Sequence, residues 1–219
     1  MKIYLFTHTG DVDESLKQKN VTFINLNLSK TDDRYFESRG YELINLPEDE
    51  EETICFISPS VFKKTLMTIE QIMQGPPAKN NEIFCFIKHG HALLAMYQAQ
   101  MAHGNTFLIL WNYFLEKMGL LQYAGIDFSN CNCNMYYIKC KQAKQFQLFM
   151  KKGIHCLNSF KGYYKELLHS DSKYNGTNNI SKQDLQKKFG YPHYPFHPFI
   201  AERFIGLFAL INNIPVILK

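Results

Sequence analysis

Short apolar runs separated by helix-length segments fill the first half of the chain, and this alternation restricts it to folds in which strands and helices take turns. Lys2 to Thr7 reads as a buried strand of β-branched and aromatic residues, and Val21 to Leu28 alternates apolar with polar as a second. Thr53 to Ile57 is a third. The following helix is punctuated by Ser58 as N-cap, Pro59 at its first position, and Gly75-Pro76-Pro77 beyond its end. Within it Phe62, Leu66, Ile69 and Met73 form one apolar face. Glu82 to Ile87 is a fourth strand with Lys88-His89-Gly90-His91 at its carboxyl end. The pattern predicts an α/β sandwich around a mostly parallel mixed sheet.

The second half is mostly helical. Helices are predicted over His91 to His103 and Asn105 to Met118, closed by Gly104 and Gly119, with Leu94, Met101, Leu108, Trp111 and Leu115 as apolar positions. Met135 to Ile138 is a short strand and Gln142 to Ser159 a helix. Ser170 to Ile180 lacks periodicity and is expected to be a flexible loop. Ser181 and Asp184 start a short helix in the manner of a capping box, ending at Gly190. Tyr191 to Pro198 is a connector, Phe199 to Asn212 an amphipathic helix, and Val216 to Leu218 a closing strand.

A length of 219 residues suits one domain, and 46% hydrophobic content can fill its core. Thirteen Tyr and eighteen Phe against 20% charged residues exclude disorder and coiled coil. The net charge of +4 is too small a surplus to argue for nucleic acid. The longest apolar run, Phe204 to Ile211, is far short of the roughly 20 residues of a membrane span. Ile3 to Phe6 is too short for a secretory signal, so a soluble, cytoplasmic chain is expected, with its six cysteines reduced and its Asn-x-Ser/Thr sequons bare.

No dinucleotide fingerprint, phosphate loop, nucleophile elbow or H-E-x-x-H motif is present. Sheets of this kind bind ligands outside the carboxyl ends of their strands, which singles out two segments. Thr7-His8-Thr9-Gly10-Asp11-Val-Asp13 holds a D-x-D spacing that suits either a divalent cation or, more commonly, an Asp cap on a helix. Its polar side chains are also placed to bond a nucleobase. His89 and His91, alternate residues beside Lys88, can share one face toward a metal or a phosphate. Cys131, Cys133, His155 and Cys156 invite a zinc reading, but the spacing departs from the common knuckle. His193 and His197 straddle Pro195, which prevents one regular helix from presenting both. Tyr191, Tyr194 and Phe196 make either a stacking platform or packing, packing being the commoner. Asp127, in a polar loop, and Glu202, opening the last helix beside Arg203, are the candidate catalytic carboxylates.

Three stretches carry a family resemblance: IFCFIKHGHA from Ile83 to Ala92, the Trp111-to-Leu115 helix followed by Gly125 to Lys139, and Ala201-Glu-Arg-Phe204. In this order they resemble small GT-A-fold nucleotide-sugar glycosyltransferases of bacteria and viruses, among them the chlorella-virus-encoded glycosyltransferase domain. The resemblance implies a GT-A-like fold, a UDP-sugar as donor, a glycan or glycoprotein hydroxyl as acceptor, and a divalent metal, Mn²⁺ or Mg²⁺. It also implies a viral protein acting in host cytoplasm. In that family an Asp-x-Asp normally follows the fourth strand, where this chain has His89-Gly-His91. His91 is then the metal contact, or Lys88 and His89 neutralise the diphosphate directly, or the metal is dispensable. Thr7, His8, Thr9 and Asp11 would contact the nucleotide, and Asp127, with Glu202 as the alternative, would face the acceptor. The rival readings are a catalytically silent nucleotide- or protein-binding domain and a metal-dependent hydrolase built on His89, His91 and Asp127.

Overall fold

Alternate residues of each strand face opposite layers, and the two layers differ in content. The computed structural model describes residues 1–7, 16–17, 20–26, 33–58, 60–75, 81–86, 94–129, 135–174 and 181–218. Its sheet consists of β1 (Lys2–Thr7), β2 (Val21–Asn25), β3 (Thr53–Ile57), β4 (Ile83–Cys85), β5 (Tyr136–Lys139) and β6 (Val216–Leu218), in the order β2-β1-β3-β5-β4-β6. β1 pairs parallel with β2 and β3, and β4 with β6, whereas β5 is antiparallel to both β3 and β4. Five strands therefore run one way and β5 the other. The expected mostly parallel mixed sheet is present.

On one face Ile3, Leu5, Cys55, Ile57 and Tyr137 pack against two short helices, α1 (Ser60–Thr65) and α2 (Ile69–Met73). On the other, Tyr4, Phe6, Phe56 and Tyr136 meet a larger layer. That layer holds α3 (Ala95–His103), α4 (Asn105–Lys117), α5 (Cys140–Asn158), α6 (Gly162–His169), α8 (His197–Ala201) and α9 (Phe204–Ile211); α7 (Lys182–Phe189) comes between α6 and α8 in the chain. Burial of each Phe or Leu here is worth about 1.5–3 kcal/mol, and the phenols in the core are bonded rather than orphaned. Tyr4 donates to Asn45 O at 2.7 Å, Tyr41 and Tyr136 share a hydrogen bond, and Tyr137 donates to Ile72 O. Gly75 sits against that Tyr137 phenol, where a β-carbon would overlap its oxygen.

Several predicted elements change in the folded chain. The helix expected from Ser58 to Gly75 is two helices, because Leu66 adopts φ 59° and points its side chain into solvent, 74% exposed. Thr65 and Thr68 supply the break: Thr65 Oγ1 accepts from Met67 N, and Thr68 with Gln71 forms a reciprocal capping box that starts α2. Leu66 is thus no part of the apolar face. Leu94 and Met101 are likewise exposed, while Trp111 and Leu115 are core. α5 begins at Cys140, two residues before the expected start, directly from β5. The helix expected over Phe199 to Asn212 breaks at Glu202 and Arg203 into α8 and α9, and α8 takes in His197 and Pro198 from the expected connector. A 3-10 segment over Asp33–Leu43 and helix α6 add to the expected elements. Ser181 caps α7 as expected, accepting from Asp184 N at 3.1 Å. Of the expected loop from Ser170 to Ile180, residues 175–180 lie outside the described residues.

Among the described residues no helix is long and apolar enough to cross a membrane.

Candidate functional site

The strand order sets the place for a ligand. From β1 the chain moves to β2 on one side and then to β3 on the other, so the direction of winding reverses between β1 and β3. In open α/β sheets that reversal opens a crevice at the carboxyl ends of the two strands. Thr7 ends β1 there, buried, with its hydroxyl 3.5 Å from Ile24 O. Ser58 follows β3 at the same edge, also buried. Because β4 runs parallel to β1, the chain leaves the sheet at Phe86 along this edge as well. His8, Thr9 and Asp11 follow Thr7, and Lys88, His89 and His91 follow Phe86; all six lie outside the described residues.

Asp127 serves a helix. The segment 127–129 lies beside the start of α3, with Ala95 N donating to Phe128 O at 2.9 Å and Leu94 bridging Ser129. Leu94, the residue before α3, offers no side-chain cap. The Asp127 carboxylate takes that role from thirty residues away in the chain: Oδ1 accepts from Met96 N at 2.9 Å, Oδ2 from Tyr97 N at 3.2 Å, and Oδ1 again from Phe128 N at 2.9 Å. Three of about four acceptor positions on the carboxylate are thereby taken.

Glu202 lies in the turn between α8 and α9, three-quarters covered, and its Oε2 accepts from Arg203 Nη1 at 2.6 Å. Arg203 is almost fully buried: Nη1 also donates to Phe199 O at 3.0 Å, Nη2 to Gln98 Oε1 at 3.1 Å, and the guanidinium covers the Phe107 ring. Gln98 belongs to α3, so Glu202 and Asp127 both act on that helix, one through Arg203 and one directly. At the far end of α3, His103 is buried with Nδ1 3.0 Å from Ser172 O. Burial lowers its pKa from the ordinary value; the Ser172 bond opposes this, the Arg203 charge adds to it, and Glu202 opposes it.

The other motif residues are packed within the fold or lie outside the described residues. Phe196 is core, and Tyr194 packs edge-on against Phe36 and Tyr174. Tyr191 bonds His169, and His193 Nε2 lies 2.9 Å from His169 O. Cys156 is buried and its thiol is pushed up to about 11 by burial, against the pull of Lys117, while its neighbour His155 is exposed. Successive helical residues do not share a face, so these two do not converge on one zinc ion. Cys131 and Cys133 lie outside the described residues. Cys55, Cys85, Cys140 and Cys156 are buried. Among the described residues no three His, Cys, Asp or Glu side chains gather as a metal shell.

Sequence reasoning missed Ser58 as a residue of the crevice, having assigned it to helix capping. It also missed the pairing of Arg203 with Gln98, which spans 105 positions and leaves no local spacing to read. Comparison with protein-family models, with curated proteins and with solved structures finds no match to this chain.

Proposed function

We propose that the chain is a nucleotide-sugar glycosyltransferase of the GT-A kind, moving a sugar from a UDP-sugar to a glycan hydroxyl. The observation that carries this reading is the common carboxyl edge of β1, β3 and β4, with a winding reversal at β1 and β3 and buried Thr7 and Ser58 beside it. Both polar motif segments of the sequence continue from strands ending at that edge. In this reading Thr7, His8, Thr9 and Asp11 contact the nucleotide, and Lys88 and His89 offset the charge of the departing diphosphate. His91 is the residue assigned to Mn²⁺ or Mg²⁺, which when bound would supply further charge neutralisation. Asp127 and Glu202 are the carboxylates available to an acceptor, each already bonded within the fold.

That last fact favours a second reading, a catalytically silent domain that binds a nucleotide in the same crevice. One experiment separates the two. Thermal shift with UDP-, GDP- and dTDP-sugars, with and without Mn²⁺, detects a site because a ligand bound only to the folded state stabilises it by RT ln(1+[L]/Kd). UDP release is then followed with and without glycan acceptors. A shift with a UDP-sugar together with slow UDP release, faster with an acceptor, is the expected result. A shift without release under any acceptor supports the silent domain, and no shift with any nucleotide refutes both.

A further inference from the structure

α5, α6 and α8 line a partly open cavity of about 160 Å³ bounded by Leu157, Asn158, Phe160, Lys165, His169 and His197. Two of these are apolar, and the other four present nitrogen. Lys165 brings a fixed positive charge from the exposed side of α6. The Tyr35 hydroxyl donates to Asn158 Oδ1 at 2.7 Å, which leaves the Asn158 amide nitrogen as the end able to donate. The Tyr191 hydroxyl meets His169 Nδ1, and with that hydroxyl donating, the ring proton sits on Nε2. His197 is 1% exposed, edge-on to Tyr35 at 5.3 Å and to His169 at 4.6 Å between ring centroids. No carboxylate is among the lining residues.

Lys165 is the group of fixed charge among the lining residues, and with no carboxylate beside it the cavity favours an anion. The two imidazoles alone do not make a metal shell, and Lys165 repels a cation. Helix ends point the opposite way, since α5 and α6 both finish here and carbonyl ends favour positive charge. Those carbonyls are spent, however. Cys156, Leu157, Leu167 and Leu168 O accept from Ser159, Phe160, Ser170 and Phe196 N, and His169 O from His193. The side-chain charges therefore decide the sign. At about 160 Å³ the space is below the roughly 300–1,000 Å³ that holds a drug-sized molecule, so it suits an ion or a terminal group.

We propose that this cavity binds a phosphate group through Lys165, His169, His197 and the Asn158 amide, supplied by inorganic phosphate or by a phosphomonoester such as a hexose monophosphate. The cavity shares no lining residue with the nucleotide crevice, and its test uses no nucleotide. The groups facing it are Lys165 and His169 from α6, His197 from α8 and the Tyr35 phenol, with Tyr191 and His193 behind His169.

Inorganic phosphate is titrated into the intact chain at constant ionic strength, with melting temperature and the histidine ring-proton NMR signals as readouts. The expected result is stabilisation beyond that given by chloride, with movement of the His169 and His197 signals and tighter binding near pH 6 than near pH 8. Sulfate, dianionic at both pH values, separates the imidazole titration from that of phosphate itself and should also bind more tightly at the lower pH. Lys165→Met, on an exposed face, should fold normally and weaken phosphate about tenfold or more, the loss typical of one charge-assisted hydrogen bond. A hexose monophosphate that moves the same two signals identifies an ester-accepting site; movement by inorganic phosphate alone identifies the free ion. Stabilisation no greater than with chloride, unmoved histidine signals, or wild-type affinity in Lys165→Met overturns the proposal.

Discussion

Replacing Asp127 separates its two assignments, because the structure says what the side chain holds and by how much. Three backbone N–H groups donate to it, two of them from the first turn of α3, and Leu94 provides no substitute cap. Loss of an N-cap costs about 0.5–2 kcal/mol, and loss of a negative charge at a helix N-terminus about 0.3–1 kcal/mol more. Asp127→Ala should therefore destabilise by about 1–3 kcal/mol, or roughly 2–12 °C in Tm for a domain of this size. Asp127→Asn keeps one acceptor oxygen but turns an NH₂ toward the Tyr97 amide, so it should fall between wild type and Asp127→Ala.

The assay is thermal unfolding followed by circular dichroism, with hydrogen exchange at the Met96 and Tyr97 amides, which should lose protection in step with Tm. An Asp127→Ala variant melting with wild type would refute the capping argument. Donor turnover, measured well below Tm, then decides the chemical role. A base has a contribution on the order of 10²–10⁴ in rate, so a folded Asp127→Asn that transfers sugar at the wild-type rate removes Asp127 from catalysis and makes Glu202→Gln the next variant.

Two further outcomes follow from single residues. Burial holds the His103 pKa below its ordinary value, so as pH falls from about 7.5 to 5.5 the unfolded chain takes up this proton first. Stability is full above that ordinary value and declines below it, by at most about 1.4 kcal/mol per pH unit; urea midpoints should show this decline reduced in His103→Gln, and an unchanged decline would exclude His103 as its source. Leu66 carries a left-handed backbone, φ 59°, on an exposed side chain, so Leu66→Gly should relieve about 1–2 kcal/mol of strain against about 0.5–1 kcal/mol of added chain entropy. Its Tm should rise by up to about 6 °C, and a fall would show that the break between α1 and α2 is not strained at Leu66.

The strands were readable because they are short apolar runs rich in β-branched and aromatic residues, buried on both faces in β1 and β3, which fall on their predicted bounds. Sheet order was not readable: nothing local in Tyr136 to Lys139 says that this strand enters between β3 and β4 against their direction. The first helix was misread because the periodicity of Phe62, Leu66, Ile69 and Met73 runs straight across a break set by Thr65, Thr68 and Gln71. Their hydroxyl and amide groups compete for the backbone without disturbing the apolar pattern. The position of Thr7 at the carboxyl end of β1 was legible from the strand pattern. Carboxylates were a poorer guide, since an Asp in a loop looks the same whether it faces solvent, a substrate or a helix N-terminus thirty residues back.

That ambiguity has a physical origin in α3. Its buried residues are Ala95, Ala99 and His103, with Met96 half-buried against the core, so its apolar grip is a small fraction of what α4 gains from Phe107, Leu110, Trp111, Phe114 and Leu115. Leu94, Tyr97 and Met101 spend their side chains on solvent instead. What holds α3 is a series of polar ties along its length: Asp127 at the N-terminus, Arg203 to Gln98 in the middle, and His103 to Ser172 at the end. Each net tie is worth about 0.5–3 kcal/mol, comparable to the helix's own burial, and each is anchored in a different part of the chain. Cutting any one tie should lower the protection of the amides in α3. Loss of activity in an Asp127, Glu202 or Arg203 variant therefore identifies a catalytic group only if the amides of α3 remain protected.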